Sequence, residues 1–283
     1  MANSKMKLLI GIVGIFLVTP HSQCVLAQEQ DNTHPYLNSK YFVDVGVFFP
    51  DRNISLRADG LVSGPSDPIE FGGELGLKKS DETMSLNFGW RFGEKWQLGG
   101  QYFESSGDRG RVLDEDVEWN DVIFEQGSSI AAGQDFSLIR IFFARRFESR
   151  EHHEFGIGAG FHWIDISGYI EGNIIIGGGG TEVRRESVDA SAPLPNLGVW
   201  YMYSFSPKWA IRTRFDWLDV SFDIYDGTLV NAAAGLNYQA FEHVGFGVNY
   251  NFFDLDVGIN KSDWRGNAEL SYEGVFGYLS LFW

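Results

Sequence analysis

The stretch Tyr272–Trp283, YEGVFGYLSLFW, decides the fold. It reads with a period of two: Leu279, Leu281 and Trp283 fall on one side, Tyr278 and Ser280 on the other. In water, a terminal strand with an apolar face and an open edge invites aggregation. As the closing stave of a barrel surrounded by lipid, the same strand has no free edge, and its apolar face meets a matching solvent.

Moving outward from this strand, the pattern repeats. Val244, Phe246, Val248, Tyr250 and Phe252 alternate with Gly245, Gly247, Asn249 and Asn251. Val230–Tyr238, Trp209–Trp217, Leu197–Phe205, Phe155–Trp163, Phe136–Phe147, Trp96–Tyr102, Met84–Phe92 and Tyr41–Phe49 alternate in the same way. Four short polar turns join eight of these segments in pairs, at Gly93-Glu94-Lys95, between Phe147 and His153 with Glu148, Ser149 and Arg150, at Ser206-Pro207-Lys208 and at Glu242-His243, each beside an aromatic ring. Short turns at one end, longer loops at the other and rings at the boundary are the layout of an outer-membrane barrel. The expected fold class is therefore all-β, a transmembrane antiparallel up-and-down β-barrel. Ten strands are expected, with eight or twelve as alternatives that depend on residues 52–76 and 117–125. Each strand is expected to span about 9–11 residues, leaving long loops at 104–135 and 167–195. The terminal strand, ending on an aromatic residue, also resembles the signature read by the outer-membrane assembly machinery.

The other end of the chain bears on location. Lys5 and Lys7 precede the apolar run Leu8–Val18, and Val25-Leu26-Ala27 is a small-residue cleavage site. This reads as a signal peptide over residues 1–27, with one barrel domain over 28–283 and residues 28–39 as a short periplasmic lead. The only cysteine, Cys24, lies in the signal, so neither disulfides nor thiolate metal sites are expected in the mature chain. The formal charge of −16 becomes −18 once Lys5 and Lys7 are removed. Such an acidic excess argues against nucleic acid as a partner. No other stretch is long and apolar enough for a membrane helix.

If the apolar faces look outward, the remaining faces line the lumen. They carry Arg91, Arg140, Arg212 and Arg214 against Asp44 and Asp216. Two readings are open. The charges neutralise one another in a nearly filled interior, as burial requires, or the arginines select anions in a polar channel. The small barrel size favours the first.

Gly156-x-Gly158-x-Gly160 lacks the strand–turn–helix setting of a nucleotide loop and reads as small inward residues. His162 and Asp165 are the one pair near enough in sequence for acid–base chemistry, but no wider catalytic constellation assembles around them. No enzyme activity and no cofactor are expected. Acidic residues gather at Asp114–Asp116 and, near two hairpin ends, at Asp219, Asp223, Asp226, Asp254 and Asp256. The second group offers oxygen ligands for a divalent cation, although no EF-hand spacing is present.

Several stretches resemble a family of uncharacterised proteobacterial outer-membrane β-barrel proteins. They are Glu74-Leu75-Gly76-Leu77 leading to Trp90-Arg91-Phe92, Leu194-Pro195, Tyr225-Asp226-Gly227, and Gly274–Trp283. The general look is similar to small OmpA/OmpW-type barrels. Gly72-Gly73 departs from the family, whose members often carry acid there. The resemblance implies an outer-membrane location and no assigned chemistry. The expected role is structural or that of a narrow, porin-like channel for small solutes. The alternatives are a surface binding or adhesion module acting through the loops and, behind it, a lipid- or peptide-modifying enzyme. Expected partners are outer-membrane lipid and lipopolysaccharide, with the protein a monomer.

Overall fold

A computed structural model of the protein describes residues 33–59, 69–70, 82–119, 122–150, 152–176, 180–222, 225–260 and 265–283. The signal peptide expected at 1–27 lies outside them, as do Asp223 and the 72–73 position. Ten antiparallel strands form the wall: β1 Tyr41–Asp59, β2 Thr83–Phe92, β3 Trp96–Val112, β4 Ser129–Arg150, β5 His153–Ile176, β6 Gly180–Ser206, β7 Trp209–Phe222, β8 Tyr225–Phe241, β9 Val244–Asn260 and β10 Arg265–Phe282. Each pairs with its neighbours in sequence, and β10 closes on β1 from Phe42–Phe282 to Asp59–Arg265. Beyond that seam, Tyr41 N–H donates to the Trp283 carbonyl at 2.8 Å and Trp283 N–H to the Tyr41 carbonyl at 3.1 Å. Closure satisfies the backbone groups that lipid cannot.

The eight- and twelve-strand alternatives fall away. Val117–Trp119 pairs with Val122–Phe124 as a small separate two-stranded sheet, and Ile69–Glu70 pairs on the upper part of β1. Gly93 takes φ +58° in the tight β2–β3 turn, a left-handed conformation that glycine adopts without a Cβ clash.

Strand length corrects the sequence reading. β4, β5 and β6 run for 22, 24 and 27 residues, well past a bilayer span, so most of the loops expected at 104–135 and 167–195 are continuing strand. On β5 the unbroken outward run of apolar side chains ends at Trp163. The remainder, Ile164–Ile176, rises roughly 30 Å beyond that belt at about 3.3 Å per residue and a tilt of about 40°. Pro193 and Pro195 lie in β6 above Leu197–Trp217, where its register with β7 ends. A residue without an N–H is tolerated on such an edge.

Polarity reverses along each long strand while the alternation continues. On β9, Phe246, Val248, Tyr250 and Phe252 are exposed outward while Asn249 and Asn251 are buried inward. From Phe253 the contents swap: Phe253, Leu255 and Val257 are buried, and Asp254 and Asp256 are exposed. The same switch occurs at His162/Ile164 on β5, Asn196/Leu194 on β6 and Asp216/Leu218 on β7. The lower barrel is therefore apolar outside and polar inside, and the upper barrel is the reverse. Burial of apolar surface holds the upper half together as in a water-soluble protein. Its core gathers Phe48, Phe103, Phe136, Ile170, Phe253 and Tyr272 among others, with Trp119 and Phe124 of the small hairpin fully buried against it.

The glycines at 156, 158 and 160 make room inside the lower barrel. A Cβ at Gly156 would stand 2.1 Å from the Trp200 ring, and one at Gly158 would stand 2.4 Å from the Ala144 methyl. Gly156→Val is expected to destabilise the barrel by about 1–3 kcal/mol through overpacking. Gly277→Ala, where nothing lies within 4 Å of the added carbon, is expected to be near neutral. Urea midpoints of the refolded protein check both.

Candidate functional site

The lower interior is built in layers. Nearest the short turns, Glu154 on β5 accepts from Arg91 Nη2 at 3.1 Å, Arg146 Nε at 2.8 Å and Trp200 Nε1 at 3.3 Å. All four side chains are buried. Arg91 also donates to the Ser39 carbonyl at 2.9 Å, tying β2 to the segment ahead of β1.

That segment corrects another expectation. Residues 33–39 do not trail from the barrel but enter its mouth as a single helical turn, Pro35–Asn38, with Tyr36 and Leu37 buried. His34 N–H donates to Ser204 Oγ at 2.9 Å, and the Tyr36 ring packs edge-on against Phe282 at 4.7 Å. The Tyr36 hydroxyl donates to Asp44, which also accepts from Ser280 Oγ at 2.9 Å and from Arg212 Nη2 at 2.8 Å. The Arg212 guanidinium lies over the Tyr36 ring at 4.6 Å. One buried carboxylate thus joins β1, β7, β10 and the inserted turn.

Farther up, Arg140 and Asp216 form a two-pronged pair, Nε–Oδ2 2.8 Å and Nη2–Oδ1 2.7 Å. Arg214 donates to Gln101 Oε1 at 3.0 Å and Asn231 Oδ1 at 3.3 Å, with Nε 3.5 Å from Asp216. Asn231 Nδ2 meets His162 Nε2 at 3.0 Å. Strand register makes this layer: Arg140 lies opposite His162, and Asp216 opposite Asn231. Above it stands the apolar core. Between the Arg140–Asp216 layer and the inserted turn is a void of about 80 Å³, bounded by Phe42, Gln97, Phe142, Trp200, Arg212 and Arg214 among others. It has room for a handful of waters.

Asp44, Arg91, Arg140, Arg212, Arg214 and Asp216 thus all point inward. Glu154 and Arg146 escaped the sequence reading because they sit beside a turn. Strand parity was the available signal: Glu154 shares a face with Gly156 and His162, and Arg146 with Arg140. His162 is fully buried whereas Asp165 is exposed on the opposite face, so the two do not form an acid–base pair. The described members of the acidic group at the upper hairpins do not converge either. Asp219, Asp254 and Asp256 are exposed on the outer face. Asp219 and Asp256 flank Thr228 from either side, so their backbones stand about two strand spacings, ~10 Å, apart. Direct calcium ligands need about 2.3–2.6 Å to the ion. Asp226 lies opposite Ser221 and Gly258. Among the described residues no three acidic, histidine or cysteine side chains cluster as a metal site.

The outer face below the polarity switch carries rings at its lower rim, including Trp96 over Phe143 at 5.0 Å, His153 over Tyr203 at 4.6 Å and Trp209 beside Tyr238 at 4.8 Å. Such a girdle marks a membrane–water boundary.

No protein-family model matches the chain, and no curated protein matches it. Solved structures do. The outer-membrane protease OmpT from Escherichia coli superposes with a TM-score of 0.59 at 10% identity, covering 86% of this chain and 96% of that one. The toluene transporter TodX from Pseudomonas putida gives 0.39 at 8% identity, covering 88% and 91%. OprG from Pseudomonas aeruginosa gives 0.34 at 11% identity, covering 88% and 98%. At these identities the OmpT likeness concerns the fold alone: this is an outer-membrane β-barrel fold.

Two outcomes follow from the layers. Removing one partner of a buried ion pair leaves the other charge uncompensated, so Asp216→Ala is expected to cost about 3–5 kcal/mol in urea unfolding. Burial first, and the Arg212 charge second, hold the His34 imidazole down at about 4, below its ordinary 6.5. The inserted turn therefore binds fewer protons than the withdrawn one. It is held fully above pH 6.5 and loosens as pH falls toward 4. Limited proteolysis of the lead should speed up across that window, and His34→Gln should remove the pH dependence.

Proposed function

We propose that this protein is an integral outer-membrane barrel, closed at rest, that serves as a structural element displaying a tall β-wall outside the cell. The observation that carries the reading is the polarity reversal. A wall that is apolar within and polar without, rising past the lipid belt, is built to stand in water as solid protein. Among the described residues the inserted turn occupies the section below and the aromatic core the section above, with a void of about 80 Å³ in the lower barrel, which favours a filled barrel over an open pore. The wall then supplies the surface for any partner, with Arg185 stacked over Tyr169 at 3.8 Å on its outer side. This reading assigns the chain no catalytic chemistry. It takes lipid and lipopolysaccharide as neighbours of the apolar belt, the terminal strand as the segment engaged by the assembly machinery, and the barrel as a monomer. Kinship with OmpA/OmpW-type barrels rests on the sequence stretches, since OmpA-type barrels have about eight strands.

A narrow channel is the second reading. It is favoured by the small size of the element that stops the mouth, a single turn at Pro35–Asn38. Refolded protein spanning residues 28–283 in a planar bilayer is expected to show no conductance steps. Stable unitary steps from the unaltered protein would replace the closed reading with the channel.

A further inference from the structure

Charge in the lower interior does not balance. The described inward side chains there include five arginines, Arg91, Arg140, Arg146, Arg212 and Arg214, against three carboxylates, Asp44, Glu154 and Asp216. Arginine does not lose its proton in proteins, and a protonated histidine would only enlarge the excess. Among the described side chains there, arginines thus outnumber carboxylates by two, inside a wall whose outside is lipid, where unbalanced charge is costly.

The excess sits in two places. Around Glu154, Arg91 and Arg146 also reach the Ser39, Leu37 and Glu94 carbonyls at 2.9, 3.4 and 3.5 Å. Around Asp216 the second arginine, Arg214, shares that carboxylate with Arg140 from 3.5 Å, its buried Nε making no hydrogen bond, and is otherwise met by the neutral acceptors of Gln101 and Asn231. This second excess borders the void. Arg140, Arg212 and Arg214 all line it, together with the amides of Asn87, Gln97 and Asn249. Gln97 is 7% exposed, and its side-chain oxygen has no partner. An amide turned the other way would present N–H donors to the void instead.

We propose that this void is a binding site for one small monovalent inorganic anion of halide size, held by Arg214 and Arg212 with amide donors around it. The void's volume of about 80 Å³ accommodates such an ion together with waters. The ion completes the charge balance around Asp216. It is a resident component of the fold, so the proposal stands whether or not the barrel conducts.

The test uses bromide as the probe. Crystals of the refolded protein grown in sodium bromide should show one anomalous peak within about 3.5 Å of the Arg214 guanidinium. In solution, the heat-induced gel-shift transition should lie about 3–5 °C higher in sodium bromide or chloride than in sodium gluconate of equal ionic strength. Arg214→Gln should lose both the peak and the difference. If that variant does not fold, the unaltered protein still decides. A void holding only water, or bromide scattered over exposed arginines as an adventitious ion only, overturns the proposal. So does an identical transition in gluconate.

Discussion

Everything in this structure depends on the seam between β1 and β10. Lipid offers no hydrogen-bond partners, so a sheet in the membrane is tolerated only if its two edges find each other. The Tyr41–Trp283 exchange and the long register above it meet that demand at the point where the two ends of the wall come together. Closure then creates the second constraint, an inside. Whatever the inward faces carry is cut off from water on one side by the wall and on the other by the neighbouring strands.

The lower interior answers with charge pairing in layers. Asp44, Glu154 and Asp216 each hold at least one arginine, and each network crosses the lumen between strands distant in sequence, as Arg140 on β4 does to Asp216 on β7. These bridges brace the barrel across its diameter, where backbone pairing supplies nothing. Glycines opposite large rings, such as Gly156 beneath Trp200 and Gly89 beneath Phe42, allow the side chains to lie flat and fill the section. The upper interior has a different outside, water rather than lipid, and accordingly a different filling. There the ordinary hydrophobic effect acts, and the core runs from Phe48 and Phe103 to Ile170 and Phe253.

The two halves explain why a single chain alternates throughout yet changes meaning midway. Period-two alternation specifies which residues share a face, not which face looks inward. Below the switch the large residues face out because lipid receives them. Above it they face in because water does not. Asp219, Asp254 and Asp256 follow this rule: they take the outward positions just beyond the belt on β7 and β9.

The sequence by itself determined where the ten strands lie, the four short turns and the barrel class, because alternation and turn chemistry are local and survive without neighbours. Phe246–Phe252 and Trp209–Trp217 say as much in isolation. Tertiary structure decided what depends on distance across the lumen. Only the fold brings Asp44, Arg212 and Tyr36 together, places the Pro35–Asn38 turn inside the mouth, separates His162 from Asp165, and sets Arg140, Arg212 and Arg214 around a void. Nor did the alternating pattern show that the strands run on as a water-facing wall. A strand reads the same above the membrane as within it, and its solvent is fixed by what surrounds the closed barrel.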